Sequence, residues 1–567
     1  MAAARLVGRR SAWVTGPMGA LVWSPIRSSM SVLGALLLAL LVGMGATARA
    51  ADAEPDVGEA IYREGRLPSG AVLGGAREAG ADVQGMRAAC ITCHRASGLG
   101  TSEGRTVVPP IIGKYLFRPH STNVRDMSLP HVAGYRSTRE PYTDATLAQA
   151  IREGRAPNGR SLSYLMPRYA LDDASLASLT AYLKRLSADA VPGVSDDTLH
   201  FATILTPDAD PTAGGAMVDV IERFFADKNA FIRGGLRPMQ ASREIEYRVS
   251  RRWQLHVWRL TGAPEQWEQQ LRAKLAAEPV FAVISGLAGR TWAPVHRFCE
   301  SARLPCLLPN ADLPVVAEAD FYPVYFSRGV LLEADLMASH LLETAPRPRR
   351  LVQVYRRADV GEAAAAALGA AATVAGLTVE TRALPAAGRG EDVAAALHGL
   401  GPGDALALWL RPADLGALGP NAPALSALLV SGTMGGLEHA PLPAAWRASA
   451  RMSYPFDLPP ARAVRMNFPL AWFKIRQIPV VAERVQTDTY VACGILAETL
   501  TDMLDSFVRD YLVERVEIML GHRLVNGYYP RLNLAQGQRF ASKGGYLVRF
   551  VGAAGTEVQP EGDWAAP

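Results

Sequence analysis

The sequence predicts a multidomain protein in which an all-α domain is followed by a larger, two-lobed α/β domain. The chain has 567 residues, more than one ordinary domain needs, so two or three domains are expected. Residues 57–186 carry helical patterns, whereas from about residue 200 short apolar strands alternate with helices. Strands that are separated by helices in this way form a parallel sheet.

The composition is that of a globular protein in water, with 49% hydrophobic and 20% charged residues. The net charge of +5 is small for this length, and the basic residues are scattered along the chain. We therefore expect no nucleic acid partner.

The N-terminus has the features of an export signal. Basic residues precede an apolar run at 31–46, and the small residues Ala48 and Ala50 follow it. This pattern predicts a signal peptide over residues 1–50 that is cleaved after Ala50, which places the mature protein in the periplasm. The alternative is an uncleaved anchor, for which the run is short. No later segment is as long and apolar as a membrane span, so we expect none after cleavage.

A cysteine and histidine cluster lies in "RAACITCHRASGLG", residues 87–100. Cys90, Cys93 and His94 match C-x-x-C-H, the attachment signature of haem c. In that chemistry the two thiols bond to the porphyrin and the adjacent imidazole binds the iron. The alternatives are a disulfide, a thioredoxin-like redox motif, which needs an α/β context, and a zinc site, which needs further ligands. The spacing favours one covalently attached haem c.

Three helices are predicted around this cluster. They cover 57–70, 142–154 and 172–186, the last with Asp172 as its N-cap. With these helices, residues 51–187 resemble a class I cytochrome c domain.

The resemblance implies roles for particular residues. His94 and Met166, which stands before a proline in "SYLMPRYALDD", would be the two axial iron ligands. The carbonyl of Pro109 or Pro110 would orient the imidazole of His94. Because both axial positions are then filled, we expect an electron carrier rather than an enzyme. A catalytic haem stays open if Met166 can be displaced.

A polar linker at 188–199 leads into the α/β region, 200–567. Its alternation of strands and helices restarts near residue 348, at "RRLVQVYRR". Two successive α/β runs predict two lobes with a cleft between them.

This region resembles a type I periplasmic binding protein of the branched-chain amino-acid kind, through local phrases at 281–314 and 322–342. The resemblance implies a small-molecule ligand that contacts the carboxyl ends of the strands. Four residues fall at such positions: Ser285, Gly286, Asn310 and Ala311. The hydroxyl-rich loop of that family is replaced by "NADLPV", so either the ligand differs from a free amino acid or there is none.

Two functions follow from these resemblances. The first is an exported mono-haem electron carrier whose receptor-like domain docks to a periplasmic dehydrogenase or respiratory acceptor, or binds a solute. The second is a periplasmic solute-binding receptor or sensor in which ligand binding is coupled to the redox state of the haem.

The other cysteines have simpler expectations. Cys299 and Cys306 could form a disulfide in an oxidising compartment, or could both be reduced. Cys493 lies in an apolar stretch and is expected to be buried.

Overall fold

The computed structural model describes residues 56–567, except for 104–105, 119–139, 234–250, 318, 389, 505, 523–526 and 552–556. The predicted signal peptide at 1–50 lies outside the described residues. Residues from Asp56 onward form one compact unit. Within the described ranges no helix has the length and apolarity to cross a membrane.

The three helices predicted in the N-terminal region are present, but the first ends at Glu64 instead of residue 70. Helix α1, Val57–Glu59, continues as a π-turn over Ala60–Glu64. Helices α2, α3, α4 and α5 follow over Ile91–His94, Gly113–Leu116, Asp144–Glu153 and Asp173–Arg185.

Helices α1 and α5 cross in close contact. The rings of Tyr62 and Tyr182 lie 5.3 Å apart. A Cβ atom at Gly58 would lie 2.3 Å from the carbonyl oxygen of Ser178, so only glycine allows this approach. The side chain of Asp172 caps α5 by accepting from the backbone N–H of Ser175.

The prediction that this region is all-α is wrong in one respect, because it also contains strands. A small antiparallel sheet joins β1, Gly74–Ala76, with β2, Val83–Gln84, and β5, Arg168–Tyr169. A hairpin is formed by β3, Thr101–Glu103, and β4, Thr106–Val108. Strands of two or three residues are too short to show an alternating pattern in the sequence.

The first lobe is a five-stranded parallel sheet in the order β10-β9-β8-β6-β7. Its strands are β6 Thr198–Leu205, β7 Arg252–Arg259, β8 Ala282–Ile284, β9 Cys306–Leu307 and β10 Pro323–Val324. The helices between them are α6 Pro211–Arg233, α7 Trp267–Ala277 and α8 Ala293–Ser301.

The second lobe is a seven-stranded sheet in the order β12-β11-β13-β14-β15-β16-β17. Its strands are β11 Arg350–Arg356, β12 Thr378–Leu384, β13 Asp404–Trp409, β14 Ala427–Ser431, β15 Ala450–Tyr454, β16 Tyr546–Val551 and β17 Glu557–Pro560. Its helices are α9 Val330–Glu343, α10 Gly361–Val374, α11 Gly390–Ala396, α12 Pro412–Leu415, α13 Gly432–Gly435 and α14 Ala444–Ser449. The two sheets confirm the predicted two-lobed α/β architecture.

Three helices after β15 belong to the first lobe or support it: α15 Pro459–Ile475, α16 Glu483–Met503 and α17 Arg509–His522. The ring of Phe224 on α6 contacts Trp472 on α15 and Tyr490 on α16. After α17, which extends to His522, the last strands of the second lobe begin at Tyr546.

The chain passes between the lobes in segments that hydrogen-bond to one another. One segment follows β10 at Val324 and reaches α9 at Val330, inside the phrase at 322–342 that carries the resemblance to a periplasmic binding protein. Tyr325 in this segment pairs with the backbone of Arg539 and Ala541, at 2.8 and 3.0 Å. These hydrogen bonds hold the two segments side by side.

Helix α17 also joins the N-terminal region to the first lobe. Arg63 forms an ion pair with Asp510 at 2.7 Å, and Arg95 forms a buried one with Glu517. The backbone N–H and the hydroxyl of Ser97 both donate to Glu514, at 2.8 and 2.6 Å. Burial raises the pKa of Glu514 to about 8. The two regions are therefore in direct polar contact.

Cys299 and Cys306 form a disulfide, with Cα atoms 6.1 Å apart. It ties the end of α8 to β9 in the first lobe. Cys493 is buried in α16, as the sequence predicted.

Candidate functional site

Cys90, Cys93 and His94 lie together in and just before the short helix α2. The ring Nδ1 of His94 lies 2.9 Å from the carbonyl oxygen of Pro109, which is the kind of contact expected for this proline. Burial lowers the pKa of His94 and raises the pKa of the Cys90 thiol to about 12. The two thiols are not joined in a disulfide.

Met166 lies in the turn that precedes β5. Its backbone N–H donates to Ser163 at 3.0 Å, and its carbonyl accepts from the guanidinium of Arg168. Further along this segment, Tyr169 donates to the carbonyl of Ala88 at 2.8 Å, close to the cysteines. The structure brings the two segments into one region.

The predicted first-lobe residues Ser285 and Asn310 lie at the carboxyl ends of β8 and β9 and contact each other. The amide of Asn310 donates to the Ser285 hydroxyl at 3.1 Å, and this hydroxyl lies 3.1 Å from that of Thr489 on α16. Ser285 is buried and has a φ of 54°, an unfavourable value for a residue with a side chain. Its hydroxyl is therefore fully engaged within the protein.

Gly286 has a packing role. Its φ is 128°, and a Cβ atom there would lie 2.6 Å from the ring of Trp292. Glycine is needed for this approach, with or without a ligand.

A cavity of about 10 Å³ lies where the crossover segments meet the first lobe. It is lined by Pro309, Asn310, Ala311, Tyr325, Phe326, Ser327, Arg484, Asp488 and Tyr529. Of the four predicted residues, Asn310 and Ala311 line this cavity. Its volume is about that of one water molecule, so a larger solute does not fit in this conformation.

Two acceptor groups in this cavity lack hydrogen-bond donors. Asp488 on α16 is 1% exposed, and neither of its carboxylate oxygens has a hydrogen-bond partner among the described residues. The same holds for Oδ1 of Asn310. Arg484 is the nearest cation, with Nη1 3.9 Å from the carboxylate. Buried acceptors normally have hydrogen-bond partners, and leaving them without one costs free energy. A hydrogen-bond donor in this cavity would therefore bind favourably.

Burial raises the pKa of Asp488 to about 7. Arg484 works against this shift, and the negative charge of Asp312 adds to it. Asp488 therefore changes its charge near neutral pH.

The sequence analysis missed Asp488. A signal was present, because this carboxylate lies on the same helix face as the buried residues Ala492 and Ile495. An aspartate on a buried helix face is rare unless it is paired, so its position in the sequence is informative.

An ion chain joins the two lobes beside this cavity. Asp312 of the first lobe accepts from Arg484 on α16 at 2.9 Å and from Arg411 of the second lobe at 3.3 Å. Arg411 also pairs with Asp359 through both carboxylate oxygens, at 2.9 and 3.0 Å. Burial opposes ionisation of Asp312, but the two arginines outweigh it and lower its pKa. This ion chain holds the two lobes together in this conformation.

Comparisons with known proteins find solved structures that are similar to the α/β region. A fatty acid ABC transporter substrate-binding protein from Thermomonospora curvata is 16% identical, with a TM-score of 0.48, 67% of this chain covered and 95% of that chain. A branched-chain amino acid ABC transporter protein from Thermus thermophilus, with bound valine, is 11% identical, with a TM-score of 0.48 and coverages of 66% and 98%. A substrate-binding periplasmic protein from Ralstonia solanacearum is 17% identical, with a TM-score of 0.47 and coverages of 64% and 100%. No protein-family profile and no curated protein matches the chain.

The prediction of a covalently attached haem c is wrong on the metal-ligand geometry. Across the described part of the chain, no group of three or more His, Cys, Asp or Glu side chains could hold a metal ion. The redox partners were inferred from the haem, so nothing now supports them.

Proposed function

We propose that this chain is an exported solute-binding receptor in which a small molecule binds between the two lobes of the α/β region. The observation that carries the proposal is a pair of acceptors without donors among the described residues, the Asp488 carboxylate and the side-chain amide oxygen of Asn310, in the cavity where the crossover segments meet the first lobe. Export follows from the predicted signal peptide. We keep residues 51–187, 188–199 and 200–567 as the proposed domain limits, and we assign no bound group to Cys90, Cys93, His94 and Met166.

The free acceptors define the chemistry of the solute. A carboxylate and an amide oxygen both accept hydrogen bonds, so the complementary group is a donor such as an ammonium or an amide N–H. Hydroxyl groups could have bound a carboxylate of the solute. Those of Ser285 and Thr489, however, are hydrogen-bonded to each other. The solute is therefore recognised through its donor end.

Entry of the solute requires the ion chain to break. The cavity holds little more than a water molecule, and Arg411 of the second lobe is bonded to Asp312 of the first. Separation of the lobes breaks this pair, and closure around a solute restores it. Domain closure about such crossover segments is a common binding motion.

The proposal can be tested by native mass spectrometry of the purified mature chain, followed by a thermal-shift screen. The screen compares primary amines and amides with carboxylic acids that lack an N–H group. We expect an adduct or a stabilising compound from the donor-bearing set, and its loss in Asp488→Asn.

The matched control is Asp189→Asn, which changes an exposed carboxylate in the linker. It should bind like the wild type. Stabilisation by N–H-lacking acids alone, or binding that is unchanged in Asp488→Asn, would contradict the proposed site.

A further inference from the structure

Helix α15 carries an apolar stripe that faces water. The stripe consists of Ala461, Val464, Phe468, Ala471 and Ile475, all exposed. Its three large side chains are 71%, 62% and 71% exposed, in chain order. The residues are spaced alternately by three and four positions, which is the spacing of a helix–helix seam. Soluble proteins rarely leave such a continuous apolar strip uncovered.

The opposite face of α15 is fixed in the core of the first lobe. Met466 and Phe473 are buried on this face, and Phe473 packs with Val220 and Ile478. The helix therefore cannot rotate to bury its stripe.

A cavity of about 190 Å³ lies beside the stripe, between α6, α15 and α16. It is lined by Phe224, Lys228, Phe468, Tyr490, Val491, Gly494, Ala497 and Glu498. A cavity of about 150 Å³ can hold a benzene ring. By volume this cavity accommodates an aromatic side chain beside the charged groups of Lys228 and Glu498, and Phe468 lies both on its wall and in the stripe.

We propose that the stripe is a dimer interface, in which α15 pairs antiparallel with α15 of a second copy about a two-fold axis near Phe468. In this arrangement Phe468 of each copy inserts into the 190 Å³ cavity of the other. A two-fold axis uses the same patch on both copies, so one self-complementary stripe is sufficient.

The charges beside the stripe select the antiparallel orientation. Arg465 and Lys474 flank the stripe. In a parallel pair each of these cations would lie next to the same residue of the other copy, and the like charges would repel. In the antiparallel pair the two Lys474 side chains lie about 18 Å apart, since each is six residues from Phe468 at about 1.5 Å per residue. Arg465, which pairs with Asp457 of its own copy at 2.7 Å, then lies opposite Trp472 of the second copy, a favourable cation–π combination.

The oligomeric state of the full mature chain tests the proposal. We expect sedimentation velocity and light scattering to give the mass of a dimer for the wild type, and the mass of a monomer for Phe468→Lys. The matched control is Val374→Lys on α10, at a valine that is 92% exposed and far along the chain from the stripe. It should stay dimeric. Circular dichroism and melting temperature show whether each variant is folded.

A wild type that is monomeric at every concentration, or a folded Phe468→Lys variant that is still dimeric, would overturn the interface. Cysteine cross-linking tests the orientation. The double variant Ala461→Cys and Ile475→Cys should cross-link between copies, whereas Ala461→Cys alone should not. A cross-link in the single variant, above the background of the parent, would refute the antiparallel arrangement.

Discussion

Replacing Asp488 by asparagine should remove a specific part of the pH dependence of stability. The side chain is 1% exposed, and burial raises its pKa from 3.8 to about 7. In the unfolded chain the group ionises with its ordinary pKa. Between these two values the folded state binds a proton that the unfolded state does not bind, so the free energy of unfolding falls as the pH rises.

The magnitude follows from the size of the shift. A difference of about 3 pKa units corresponds to about 4 kcal/mol over the whole window, at about 1.4 kcal/mol per pH unit. Asparagine does not titrate, so the variant should lack this contribution. Wild type and variant share all other titrating groups, including Glu514, and the difference between their stabilities isolates Asp488.

The assay is urea unfolding of both proteins at several pH values between 5 and 8, with Asp189→Asn as the control. The variant should gain stability relative to the wild type as the pH rises to about 7, and the difference should then level off. The control should follow the wild type. Parallel curves for wild type and Asp488→Asn would show that this carboxylate ionises normally, and the assignment of a donorless buried acid would be refuted.

Two further predictions concern the lobes and the N-terminal helices. Arg411→Ala removes the contact with Asp312 that joins the lobes. We expect a larger radius of gyration by small-angle X-ray scattering. Because the ion pair is partly exposed, the free energy of unfolding should fall by no more than about 1 kcal/mol. An unchanged radius would show that the ion chain does not hold the lobes closed. Gly58→Ala places a Cβ atom 2.3 Å from the carbonyl of Ser178. It should lower the free energy of unfolding by about 1–3 kcal/mol in urea titrations, and a neutral result would contradict the close approach of α1 and α5.

The sequence predicted the long elements well because their signals are local. Helix α5 could be located from Asp172 and its apolar spacing, and α4 from the glycine that ends it at Gly154. The same reasoning failed for β1, β2 and β5, which have two or three residues each and are defined by pairing with distant partners.

The candidate site was predicted in part for the same reason. Ser285 and Asn310 could be placed at strand ends from their local sequence, and the structure brings them together. Their contact with Thr489, and the cavity next to Asp488, depend on a helix that lies far along the chain. The short C-x-x-C-H match carried an inference about a cofactor that the folded chain did not support.

The charges around the cavity predict how the affinity for a solute changes with pH, depending on whether the solute is charged. Arg484 and Arg411 balance Asp312 and Asp359, so the group is neutral when Asp488 is protonated and carries one negative charge when it is ionised. A cationic amine is complementary to the ionised form only, and its affinity should rise by up to about tenfold per pH unit below pH 7. A neutral amide lacks this linkage and should bind with little change between pH 5 and 8. Calorimetric titration of an amine and its matched amide, identified in the thermal-shift screen, measures both slopes. Equal slopes for the two compounds would mean that the Asp488 carboxylate does not contact the donor end of the solute.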